Sequence, residues 1–250
     1  MLFSSITKPK RIFPLILLLL CGCGEVRDGN VSETVQNVSE ITQNISEQAQ
    51  KTESAETAEI SAVRNDGVLM FGFTADEFVN SFNAVYSDEY GEDYLTPVSQ
   101  WNCYEACSPL VDNDGMAYCF TEDREILSMP NITLFTDDNG SVYEIMATFD
   151  DHGYQDWLNK KFGIISMNMI ETVLPEMTDT EAFYRELYAL AGTNFYGDEY
   201  KFPPSDFYRS GDVGLYSYYG GGTINICAVP ADDELISELS RADCVIHGIE

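Results

Sequence analysis

The chain has 250 residues, with 42 acidic against 13 basic side chains and a formal charge of −29. That balance excludes the ordinary nucleic-acid binder, whose Lys and Arg must neutralise phosphates, and it repels anionic lipid headgroups. The acids are spread along the chain, which suits solubility first and a site for cations or a basic partner second.

The first predicted element is a leader. Lys8, Lys10 and Arg11 give a short polar start its positive charge, and Ile12–Leu20 is an apolar run broken only by Pro14. This is the charged region and short apolar region of an export signal. The run falls far short of the roughly 20 residues of a membrane-spanning helix. It ends in Leu20-Cys21-Gly22-Cys23. The segment resembles the lipobox signal of bacterial lipoproteins, with Leu three residues before the modified cysteine and Gly directly before it. Cys21 fits less well, because bulky Leu20 precedes it. The resemblance implies cleavage after Gly22, diacylglycerol on the Cys23 sulfur, and a lipid-anchored chain on the extracytoplasmic face of a bacterial membrane. Two acyl chains are what stable anchoring requires. The competing reading is an ordinary cleaved signal and a secreted protein. Residues 1–22 carry three basic and no acidic side chains, so their removal takes the formal charge from −29 to −32.

Residues 23–67 read as a lipid-anchored tether. Asn30-Val31-Ser32-Glu33, Asn37-Val38-Ser39-Glu40 and Asn44-Ile45-Ser46-Glu47 repeat with a period of seven. Val31, Val38 and Ile45 share one heptad position, but the other seam position holds Thr34, Ile41 and Gln48. That seam is too polar for a coiled coil, and the segment is expected to be a flexible spacer.

A single globular domain is expected over 68–250, roughly 180 residues and enough for one core. Thr74-Ala75-Asp76-Glu77 is a capping box, opening a helix with Phe78, Phe82 and Val85/Tyr86 on one face; Phe71 and Phe73 lead in. Strands are predicted at 98–104, 116–122, 132–136 and 142–149. The last two are joined by Asp137-Asp138-Asn139-Gly140, whose Asn-Gly favours a tight hairpin. In the return strand, Tyr143, Ile145, Ala147 and Phe149 are expected on one covered face, with Glu144 and Thr148 on the other.

Leu158, Phe162, Ile165, Met169, Ile170 and Val173 form a helical stripe stopped by Pro175, with Gly163 as a candidate break. A second capping box is read at Thr178–Glu181, before a helix lined by Phe183, Leu187 and Leu190. Residues 193–211 read as loop. A hairpin follows at 213–219 and 223–229 around Gly220-Gly221-Gly222, then a short helix at 232–241 and a last strand at 244–246. The pattern gives an α+β fold, an antiparallel sheet of hairpins with helices packed on one side.

Five cysteines remain beyond Cys23, and export permits disulfides. Cys119 is expected to face Cys103 or Cys107, depending on register. One bridge is expected in that trio, with Cys107 and Cys119 as candidate partners, and Cys227 with Cys244 forms the second. Buried free thiols are the competing expectation. An odd cysteine stays free or pairs between chains.

The sequence offers no catalytic motif. Asp151-His152 at a strand end has metal or base chemistry available but reads first as a turn. His247, near the C-terminus, is expected to be exposed. Asp112-x-Asp114-Gly115 and Asp137-x-Asn139-Gly140 echo calcium loops, yet Leu110 and Phe135 stand at the first ligand position and Thr121 and Met146 at the twelfth. Tyr216, Tyr218 and Tyr219 are a candidate interaction patch, since Tyr joins apolar area to a hydroxyl; the alternative puts half of them in the core. Neither catalytic residue, metal nor cofactor is expected. The function expected is a non-enzymatic binding domain, anchored to the membrane at Cys23, for a protein or small-molecule ligand. The alternative is a cell-envelope or glycan hydrolase using carboxylates.

Overall fold

The Thr74 hydroxyl accepts from Glu77 N while Glu77 Oε2 accepts from Thr74 N at 2.8 Å, and this reciprocal cap starts α1 (Ala75–Tyr90). Gly91, in the left-handed region at φ 80°, ends it. The expected apolar face is realised: Phe78 and Phe82 are buried, and Phe71 stacks on Phe73, which stacks on Phe78.

The computed structural model describes residues 60–65, 67–107, 110, 114–122, 130–150, 156–191, 195–196, 204–220 and 222–249, without the side chains of 107, 114, 156–157 and 195–196. Cys23, the heptad repeats, the Asp112 turn, Asp151 and His152 therefore lie outside the described residues. No described helix is long and apolar enough to cross a membrane.

The fold is α+β, as expected. Ahead of α1, β1 (Ala62–Asn65) and β2 (Val68–Phe71) pair as a hairpin, so β1 falls inside the stretch read as tether. The larger sheet contains β3 (Asn102–Cys107), β4 (Asp114–Thr121), β5 (Asn131–Thr136), β6 (Val142–Asp150), β7 (Phe195–Tyr196), β8 (Asp206–Ser210), β9 (Val213–Gly220), β10 (Thr223–Pro230) and β11 (Val245–Gly248). Its order is β11-β8-β9-β10-β6-β5-β4-β3, with β7 beside β9. Among the described residues only the β11–β8 and β7–β9 pairings are parallel. The strand expected from Val98 begins later, because Val98–Gln100 forms a short 3-10 turn.

Three longer helices, α1, α2 (Asp156–Val173) and α3 (Thr180–Ala191), share one core with Leu134, Ile145, Ala147, Phe149, Leu215, Ile224 and Ile226. Gly163 does not break α2. An added Cβ there would meet the Tyr184 ring at 3.3 Å, so glycine lets α3 approach closely. The cap of α3 is Asp179, whose Oδ1 accepts from Ala182 N at 3.1 Å, one residue after the expected Thr178.

The opposite sheet face is also covered. The short α4 (Asp233–Arg241) places Leu239 against Phe207, Tyr216, Cys227 and Val229, and Met70 of β2 packs with Ala117, Phe135 and Tyr143. A bulge in the β5–β6 pairing decides this face: Thr136 pairs with Val142 but Phe135 pairs with Glu144, leaving Tyr143 extra. Tyr143 thus joins Phe135 and leaves the face of Ile145, Ala147 and Phe149 on which alternation placed it. Gly115 makes room, since a Cβ there would sit 2.6 Å from the Tyr143 hydroxyl.

Candidate binding surface

Burial sorts the candidate residues. Tyr216 and Tyr218 are 2% and 6% exposed and stack on each other at 6.2 Å. They do not form the candidate surface patch, and the alternative core placement holds for both, because their side of β9 is the one roofed by α4. Tyr219 points to the other face and is half-buried against the main core. The Tyr216 hydroxyl donates to Glu144 Oε1 at 2.7 Å, and the Cys227 thiol shares this cluster through hydrogen bonds with both. Glu144 is 0% exposed, although alternation placed it towards solvent. Burial first, then the nearby Glu144 charge, pushes the Cys227 thiol well above its ordinary range.

The expected bridges are not formed. Cys227 and Cys244 are both free, buried thiols, and Cys103 and Cys119 are also free. Cys103 pairs across the ladder with Tyr118, and Cys119 with Asn102. The period of two therefore sends the Cys103 and Cys119 side chains to opposite faces of the sheet. The Cys107–Cys119 pairing fails because Cys119 is free; the Cys107 side chain lies outside the described residues.

His247 is only partly exposed. Its Nε2 lies 2.8 Å from Asp206 Oδ1 and its ring stacks on Tyr208 at 4.6 Å, while the Tyr208 hydroxyl donates to Glu186. Ser205 Oγ donates to the other Asp206 oxygen at 2.6 Å, and this bond first, then His247, holds the carboxyl below its ordinary range. The arrangement clasps β11 to β8. Among the described residues no group of three or more His, Cys, Asp and Glu is gathered as for a metal.

The tyrosines that do reach solvent together come from α1 and the segment after it. Phe78, Phe82, Tyr86 and Tyr90 recur every four residues, which stacks them along one side of the helix. Phe82 and Tyr86 lie 6.2 Å apart, Tyr86 and Tyr90 4.5 Å. Buried Asn83 brings in the next ring: its Oδ1 accepts from Tyr94 N and Leu95 N, and its Nδ2 donates to Leu95 O at 2.8 Å. Tyr94 thereby sits 5.0 Å from Tyr86, backed by Phe120 and then Trp101. The row passes from sealed Phe78 to Tyr90, which is 40% exposed.

Charge is concentrated at the exposed end. Lys161 of α2 holds its ammonium 5.5 Å from the centre of the Tyr94 ring and forms an ion pair with Glu122. The Tyr94 hydroxyl donates to the same carboxylate at 3.3 Å. Burial first, then Glu89, pushes the Tyr90 phenol up to about 12, and Glu171 adds to this. Glu122, Glu92 and Glu89 act similarly on Tyr86, after burial. The face is therefore a row of aromatic rings edged by carboxylates. The helical period of α1 puts Tyr86 on the same stripe as Phe78 and Phe82, and no local signal in the sequence separates it from them.

No family model, curated protein or solved structure matches the chain.

Proposed function

We propose that the chain is a lipid-anchored extracytoplasmic binding domain, held to a bacterial membrane through Cys23 and non-enzymatic. The observation that carries the binding reading is the Tyr86–Tyr90–Tyr94 face, a row of packed rings that runs from half-buried Tyr86 and Tyr94, seated on the core, out to Tyr90, which is 40% exposed. Removing an aromatic ring from water contributes a few kcal/mol, so such a row is a ready source of binding energy. The lipobox resemblance of residues 1–23 supports the anchor, and the acidic charge supports a domain standing off anionic headgroups. Glu144 lends no support to a carboxylate hydrolase, because it is sealed in the interior against Tyr216.

The anchor is tested by expressing the chain in a bacterial host fed a clickable palmitate analogue. The chain should take up label and sediment with membranes, and Cys23→Ala should lose both. Label that persists in Cys23→Ala, or is absent from the unaltered chain, overturns the anchor.

A further inference from the structure

We infer that the Tyr86–Tyr90 face binds a cationic segment of a partner polypeptide, seating an Arg or Lys side chain on the Tyr90 ring. The inference rests on the binding-domain reading and names the partner's chemistry.

The protein already shows the mode of contact within itself. Lys161 sits over Tyr94 while its charge is met by Glu122, so one ring of the row carries a cation and a carboxylate together. Ring faces are negative and attract cations. Tyr90 has the ring and the carboxylates of that arrangement and is 40% exposed: it packs on Tyr86 at 4.5 Å, and Glu89 and Glu171 act on it electrostatically. The carboxylates come from separate elements, Glu89 from α1, Glu92 from the turn after it and Glu171 from α2, while Glu122, just after β4, is the one that meets Lys161. Their charges converge on the rings rather than lining a single helix.

Ring angles favour a polypeptide over a small free cation. Tyr86 meets Tyr90 at 33° and Tyr94 at 30°. The rings form a platform, and lack the perpendicular walls that enclose a free ammonium. A single cation on an open platform gains one face only, whereas a segment with several cationic side chains also engages the flanking carboxylates. Arg suits the position best, since its planar guanidinium stacks on aromatic faces and is weakly hydrated.

The test titrates the purified full-length chain with a fluorescent oligo-arginine peptide, and in parallel with a soluble oligosaccharide, which is the other ligand class that stacks on tyrosine. Tyr90→Ala should weaken peptide binding by about two- to fivefold, the scale of an exposed cation–ring contact. Tyr90→Phe should restore it, because the ring face and not the hydroxyl is used. Tyr104→Ala, at a 50% exposed tyrosine on β3, should change nothing. Peptide binding that ignores Tyr90→Ala reflects the overall acidic charge and overturns the inference. Loss in Tyr90→Phe equal to that in Tyr90→Ala also overturns it. Oligosaccharide binding that depends on Tyr90, with peptide binding that does not, overturns the cationic partner while leaving the binding face in place. No Tyr90-dependent binding of either probe overturns the cationic partner and removes the support for the face.

Discussion

The Tyr216 hydroxyl donates to Glu144 Oε1 at 2.7 Å between two side chains that are almost wholly withdrawn from water. A carboxyl group in that setting is tolerable only because it is hydrogen-bonded. Removing the hydroxyl takes one donor from a carboxyl group that has no water to replace it. Tyr216→Phe should therefore lower stability by about 1–3 kcal/mol, read as a lower urea midpoint with an unchanged slope. A midpoint equal to that of the unaltered protein would contradict the assignment.

The same cluster governs thiol chemistry. The thiolate is the nucleophile, and burial holds Cys227 well above its ordinary range and pushes Cys244 up to about 11. Cys103 is exposed on β3. Alkylation of the native protein near neutral pH, mapped by peptide mass, should label Cys103 readily and Cys227 only after unfolding. A peptide joining Cys227 to Cys244 by a disulfide would refute the free-thiol arrangement.

Asp232 makes stability depend on pH. Its Oδ2 accepts from Arg64 Nε at 2.6 Å and its Oδ1 accepts from Leu235 N at 2.9 Å, so one carboxylate ties β1 to α4 and caps the helix. The Arg64 bond is the main reason its folded pKa lies below the ordinary 3.8. A carboxyl with a depressed folded pKa stabilises fully above its unfolded value, and the gain is lost as pH falls through the folded value. Asp206 adds in the same direction. The protein should lose stability below about pH 4, and Asp232→Asn should lose less over that range. Asp232→Ala at neutral pH should cost about 1 kcal/mol through the missing cap. Equal acid sensitivity in Asp232→Asn would show that the Arg64 contact contributes nothing.

Much of the architecture is legible where one local signal dominates. The Thr74–Glu77 box, the Asn139-Gly140 turn with Gly140 at φ 81°, and the β9–β10 hairpin all lie close to their expected places. β8 was hidden because Phe207 and Tyr208 face opposite cores and are both buried, which removes the alternation that marks a strand. Its partner gives one further clue: Gly214 of β9 leaves room for the Phe207 ring, which an added Cβ would overlap.

The candidate site was harder to read for a related reason. A period-two pattern locates faces but not what covers them, so it leaves both a surface and a core place open to Tyr216 and Tyr218, and α4 roofs them. The bulge at Tyr143 reversed its expected face. Conversely, Tyr86 and Tyr90 continue the stripe of Phe78 and Phe82, and burial falls along it from half-buried Tyr86 to Tyr90 in the last turn of α1, which is exposed.

The most direct measurement of the binding account is site-specific photo-crosslinking in intact bacterial cells, with the reactive group placed at position 90 and, as a control, at position 104. Both positions are exposed. The account predicts a discrete crosslinked partner from position 90, absent from position 104 and carrying a Lys- or Arg-containing peptide at the point of attachment. Identical patterns from both positions, or no discrete product from position 90, would contradict the Tyr86–Tyr90–Tyr94 face as the binding surface.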